Sequence, residues 1–205
     1  MARIPSPRDL PEDLETALGY ARQGVAALAG GRSNERMTEP LELYAHLPAL
    51  FRAYGAFEQA SADLGHLDRR TRALAELKAA TVVACEYCID LGSQISRQWG
   101  LTDDELLALP SYRRSPLFDE TDRLVLDYAA AMSRTPADVP DELFARLRER
   151  FDDAHLVELT HVIALENMRG RFNLALGIGA AGFSEGMVCA VPERPAAADP
   201  APATR

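Results

Sequence analysis

The chain has only three cysteines in 205 residues, Cys85, Cys88 and Cys189. A secreted scaffold stapled by disulfides needs more of them in a shorter chain, so that class is excluded. Histidine is nearly as sparse. His46, His66, His155 and His161 are scattered, and no second Cys-x-x-Cys or His-x-x-x-His completes a tetrahedral zinc site, so no metal and no cofactor is expected. No apolar run approaches the roughly twenty residues of a membrane-spanning helix, which makes a membrane an unexpected partner. Positive charge is also in deficit: 22 Lys and Arg stand against 31 Asp and Glu, a formal net charge of -9. That balance works against counterion release on a phosphate backbone and excludes nucleic acid as an expected partner. The opening residues MARIPSP lack the apolar core of a secretory signal. The expectation is a cytoplasmic protein whose thiols are kept reduced.

What the chain does have is a 47% hydrophobic content, enough for one well-buried domain. Sustained apolar/polar alternation with β-branched enrichment is missing, and helical spacing recurs throughout. The pattern predicts an all-α fold of seven or eight helices. A helix over residues 9–28 stops at Gly30-Gly31, and a polar connection leads to a further stretch in which Pro48 opens a helix carrying Leu50, Tyr54 and Phe57. A stretch from about residue 67 to Gly100 reads as one continuous helix carrying Cys85 and Cys88. Thr102 and Glu105 have the spacing of a capping box. Helices are expected over 119–132, 141–151 and 153–176. The organisation expected is an N-terminal helical arm over 1–40, a helical domain over 41–185, and a disordered Ala- and Pro-rich tail over 190–205.

The chemistry is concentrated in Cys85-Glu86-Tyr87-Cys88. Thiols three residues apart lie about one helical turn apart on one face. They can close a disulfide, hold half of a metal site, or pack as two small core hydrophobes; redox use leads, and the packing alternative stays open here.

Residues 67–88, LDRRTRALAELKAATVVACEYC, resemble the signature segment of the carboxymuconolactone decarboxylase and alkylhydroperoxidase D-like family. Residues 158–178, ELTHVIALENMRGRFNLALGI, resemble its closing helix, and the two occur in the right order. The resemblance implies an alkylhydroperoxidase D-like helical domain that forms homo-oligomers, trimers or hexamers. It implies a thiol peroxidase with antioxidant activity on a hydroperoxide substrate: Cys88 attacks the peroxide, Cys85 resolves the sulfenic acid, and an external dithiol restores the pair. The family's peroxidases carry a glutamate twelve residues before the first cysteine and a histidine four after the second. Here those positions are Ala73 and Gly92, neither able to move a proton, in a variant CIDLGS motif over 88–93.

A substitute for that relay is sought among the remaining polar residues. Glu76, nine residues before Cys85, faces away from the thiols on a continuous helix and is discounted. Asp90 and Ser93 lie off the Cys88 line and suit a helix or subunit contact as well as catalysis. Glu166 places a carboxylate among apolar neighbours, where an unpartnered charge is costly, and takes the catalytic carboxylate role in this reading. His161 fits that face weakly. Arg169, three residues after Glu166, suits an ion pair; Tyr87 has a hydroxyl that could reach a peroxide oxygen. Other functions weighed are a non-enzymatic redox sensor or binding partner, which the missing relay favours, and a muconolactone-type decarboxylase, which the retained cysteines disfavour.

Overall fold

The computed structural model describes residues 2–193. Among them the chain forms nine α-helices and one 3-10 turn: α1 (Glu12–Leu28), α2 (Glu39–Tyr44), α3 (Pro48–Ala62), α4 (Arg69–Val83), α5 (Glu86–Gln98), α6 (Asp103–Ala108), the turn Leu109–Arg114, α7 (Glu120–Ser133), α8 (Asp141–Arg148) and α9 (Asp153–Leu176). The all-α expectation holds, with more helices than the seven or eight anticipated. Local chemistry explains many of the ends. Asp68 accepts from Thr71 N to start α4, Thr102 and Glu105 close a reciprocal capping box on α6, and Asp152 accepts from His155 N to start α9.

α4 is the centre of the bundle, packed against α5, α7 and α9. It is buried on nearly every side, and its alanines let neighbouring helices come close. The main core gathers Leu74 and Leu77 from α4, Leu124 and Leu126 from α7, and Leu159 and Ile163 from α9. A second, smaller cluster joins Leu14 and Leu18 of α1 to Ala45 and Phe51, so the N-terminal arm packs onto α3.

Two expectations about the chain path are corrected. The cysteine segment is two helices: Ala84 adopts a left-handed conformation (φ 59°), ending α4 one residue before Cys85. A residue with a Cβ costs about 1 kcal/mol there, so tertiary packing holds the kink. The tail is also shorter than expected. Ala190 is buried, Glu193 N donates to Thr81 O at 2.9 Å, and the Glu193 carboxylate pairs with Lys78 Nζ, which is 1% exposed. What this segment covers is a charge, and a buried ammonium requires a counter-ion. The rest of the expected tail, 194–205, lies outside the described residues.

Candidate active site

The break at Ala84 puts Cys85 at the N-cap of α5, where its sulfur accepts from Cys88 N at 3.2 Å. The two cysteines are joined in a disulfide with Cα atoms 5.3 Å apart, and both are buried. Cys88 sits in the first turn of α5, where the free N–H groups and helix dipole favour a thiolate over a thiol. Glu86, between them, is exposed.

The closing helix reaches this pair because residue 170 has no side chain. A Cβ on Gly170 would lie 2.9 Å from Val83 Cγ1 and 3.4 Å from Cys85 Cβ. Close approach brings Asn173, one turn further along α9, onto the sulfurs: its Nδ2 lies 3.5 Å from Cys85 Sγ and 3.6 Å from Cys88 Sγ. Sequence reasoning missed Asn173. The available signal was an amide at helical spacing from both Gly170 and Glu166.

Cys88 and Asn173 line a cavity of about 750 Å³ whose walls come from α1, α2, α3, α4, α5 and α9. Ala73 and Gly92 also line it, so the two positions lacking relay side chains face this space. Stacked rings make one apolar wall, Tyr44 lying 4.3 Å from both Tyr54 and Phe172. The titratable groups on the walls are Asp13, Tyr20, Tyr44, Arg52, Tyr54, Glu58, Arg72, Glu76, Tyr87, Glu166 and Arg169.

The charged wall is organised around Arg169. Its guanidinium donates to Glu58, at 2.9 Å from Nε and through Nη2, and to Glu166 at 3.2 Å from Nη1. The expected pair with Glu166 is present. Glu58, 111 residues away in the chain, is the partner that sequence could not supply. Burial pushes the Glu166 carboxyl up, Arg169 opposes this, and the charges of Glu76 and Glu58 add to it, leaving its pKa at about 7. Burial also raises Glu58, but the Arg169 hydrogen bonds and charge and the Tyr54 hydroxyl outweigh it, so Glu58 is held below the ordinary carboxylate range. One carboxylate on this wall is therefore fixed as an anion, and its neighbour can exchange a proton near neutral pH.

Glu76 corrects the sequence reading, because it lines the cavity and acts on Glu166. The continuous helix assumed in discounting it does not exist. Other candidates are placed elsewhere or are occupied. Asp90 faces away from the cavity and accepts from the backbone N–H groups of Ala181, Gly182, Phe183 and Ser184. Ser93 donates to Ile89 O at 2.7 Å and accepts from Ala190 N at 3.0 Å. His161 is within 2.9 Å of Ser61 Oγ, edge-on to Phe57. Tyr87 lines the cavity, but its hydroxyl donates to Met37 O. Among the described residues no cluster of three or more His, Cys, Asp and Glu side chains could hold a metal, and no helix is long and apolar enough to cross a membrane.

The chain is thus a helical bundle with a cysteine pair at a helix N-terminus, Cys88 of that pair lining the same cavity as the Glu166 carboxyl. The chain belongs to the carboxymuconolactone decarboxylase family, whose profile matches residues 48–131. It is 35% identical over 162 residues to the uncharacterized protein YnjA of Escherichia coli K12, covering 76% of this chain and 83% of that one. Among solved structures, the AhpD core of an uncharacterized peroxidase-related protein of Ralstonia eutropha shares the fold, with 23% identity, a TM-score of 0.68, and coverage of 94% of this chain and 98% of that one. The debrominase Bmp8, solved as a cysteine-to-alanine variant with 2,3,4-tribromopyrrole, shares it at 19% identity and a TM-score of 0.71, covering 86% and 92%.

Proposed function

We propose that the protein is a thiol-dependent peroxidase that cycles Cys85 and Cys88 between dithiol and disulfide. The observation that carries this reading is that Cys88, disulfide-bonded to Cys85, shares one cavity with a carboxylate whose pKa is about 7, and the relay positions Ala73 and Gly92 bring no proton-transfer group into it. Glu166, entering from α9, is the substitute acid and base.

In the first step Glu166 takes the Cys88 proton, and the thiolate attacks the terminal oxygen of the hydroperoxide. The O–O bond breaks, Cys88 becomes a sulfenic acid, and the alkoxide leaves as an alcohol with the proton returned by Glu166. In the second step Cys85 attacks the sulfenic sulfur, its proton passes through Glu166 to the departing hydroxide, and water and the disulfide result. An external dithiol then reduces the pair by exchange, which suits a reducing cytoplasm. The ring stack of Tyr54, Tyr44 and Phe172 favours an organic hydroperoxide over hydrogen peroxide. This reading includes a homo-oligomer, trimer or hexamer, supported by the exposed Leu47, Leu50, Phe57 and Leu64 along and just beyond α3. The assigned roles are Cys88 as peroxidatic residue, Cys85 as resolving residue and Glu166 as proton carrier, with Arg169 holding Glu166.

The experiment is steady-state consumption of cumene hydroperoxide with dithiothreitol as reductant. Wild-type protein should turn over, and Cys88→Ser should fall to the rate of dithiothreitol alone. Disulfide formation in the wild type without turnover would replace the enzyme by a redox sensor.

A further inference from the structure

Asn173 is 2% exposed and lines the cavity beside both sulfurs. Its amide makes no side-chain contact with a polar group other than the sulfurs: Nδ2 serves Cys85 and Cys88, and Oδ1 is buried with no hydrogen-bond partner. Turning the amide over would press its carbonyl oxygen against the disulfide sulfurs, which have no hydrogen to donate, so the orientation with nitrogen towards the sulfurs is the favourable one. A buried amide oxygen without a partner loses its hydration with no compensation, which needs an explanation. Nearby polar groups are paired within the protein. Arg169 engages Glu58 and Glu166, and the Tyr87 hydroxyl donates to Met37 O.

Resting on the peroxidase reading, we propose that Asn173 is a catalytic residue: its N–H groups hold the Cys88 thiolate, and its free Oδ1 accepts the hydrogen bond of the hydroperoxide O–H. The chemistry matches the amide's two ends. A thiolate needs a donor, and the terminal oxygen it attacks carries a hydrogen that needs an acceptor. One planar amide touching both sets the distance and direction of attack, while Glu166 handles the proton of the leaving oxygen. In the second step the same N–H groups face the sulfur of Cys85 as it becomes the nucleophile. Carboxylic acids or alcohols without an O–O bond would find the same acceptor but no electrophilic oxygen, so they should bind as competitive inhibitors and remain unchanged.

The test uses the reduced full-length protein, with Asn173→Ala and with Asn173→Asp, which keeps the shape but replaces the donor by a carboxyl. Circular dichroism melts establish folding. Iodoacetamide labelling of Cys88 across pH, read by peptide fragmentation, reports the thiolate without any peroxide. Cumene hydroperoxide kinetics report the substrate contact. The expected result is a labelling midpoint about one pH unit higher in Asn173→Ala, higher again in Asn173→Asp, with kcat/KM lowered about 10- to 100-fold. Labelling and kinetics equal to wild type in both folded variants would overturn the proposal and leave the peroxidase reading standing. A wild type that consumes no hydroperoxide would overturn that reading and the substrate contact with it. A shifted labelling midpoint would then still identify Asn173 as the thiolate's partner.

Discussion

The two faces of α5 treat buried polar groups in opposite ways. On the face turned to the C-terminal segment, Asp90 receives four backbone N–H groups, Ser93 both donates and accepts, and Gln94 donates to Ser184 Oγ at 3.0 Å. On the face turned to the cavity, Cys88 meets Asn173 with its unpartnered oxygen and shares the space with Glu166, whose proton is poised near pH 7. Saturated hydrogen bonding fixes a segment in place and leaves nothing for a ligand. Unsaturated groups and a shifted pKa are what a reacting site requires. Asp90 and Ser93, close to the cysteines in sequence, thus have their hydrogen bonds filled, whereas Glu166 and Asn173 on the cavity side come from a helix some 80 residues later.

Breaking the cavity side should have the larger effect. Glu166→Gln keeps the size of the side chain and removes its proton exchange, and hydroperoxide turnover should fall by about 10² to 10⁴ with the fold retained. The limb of the rate profile near pH 7 should vanish in that variant; its persistence would assign it to another group. Breaking the saturated side should act on stability instead. Asp90→Ala strands backbone donors around residues 181–184, and the denaturant midpoint should report a loss of about 3 kcal/mol, while the rate per folded molecule stays within a few fold. A collapse of activity in folded Asp90→Ala protein would erase the distinction between the faces.

A smaller effect sharpens the same comparison. The folded-state pKa of Glu166, about 7, lies above the ordinary value of 4.5. Between these values the folded protein holds a proton that the unfolded chain has released, so this group's contribution is complete below pH 4.5 and is lost as pH rises through 7. Wild type should therefore lose ground to Glu166→Gln by at most about 3 kcal/mol from pH 4.5 to pH 8. Equal pH dependence of the two melting curves would mean that Glu166 is ionised in the fold.

Much of the fold was legible because helix ends carry local signals. Thr102 with Glu105, Pro48, and the spacing of the closing helix all appear where the sequence indicates. The kink at Ala84 was not legible, since alanine is the best helix former and nothing local forces it into the left-handed region. That single residue concealed Glu76. Glu58 and Asn173 were hidden for a different reason, because their meaning depends on partners 111 and 85 to 88 residues away. The Lys78 and Glu193 pair likewise joins a core helix to a segment whose composition suggested nothing to bury. The cysteine pair was legible from its spacing and Glu166 from its apolar setting, so the centre of the candidate site could be read locally and its walls could not.

The most direct test of the account is a single turnover. Fully reduced protein is mixed with one equivalent of cumene hydroperoxide, quenched with a thiol-blocking reagent and read by peptide mass. The peptide containing Cys85 and Cys88 should lose two hydrogens, one cumyl alcohol should form per chain, and Cys189 should be blocked by the reagent. Alkylated Cys85 and Cys88 beside unconsumed hydroperoxide would contradict it.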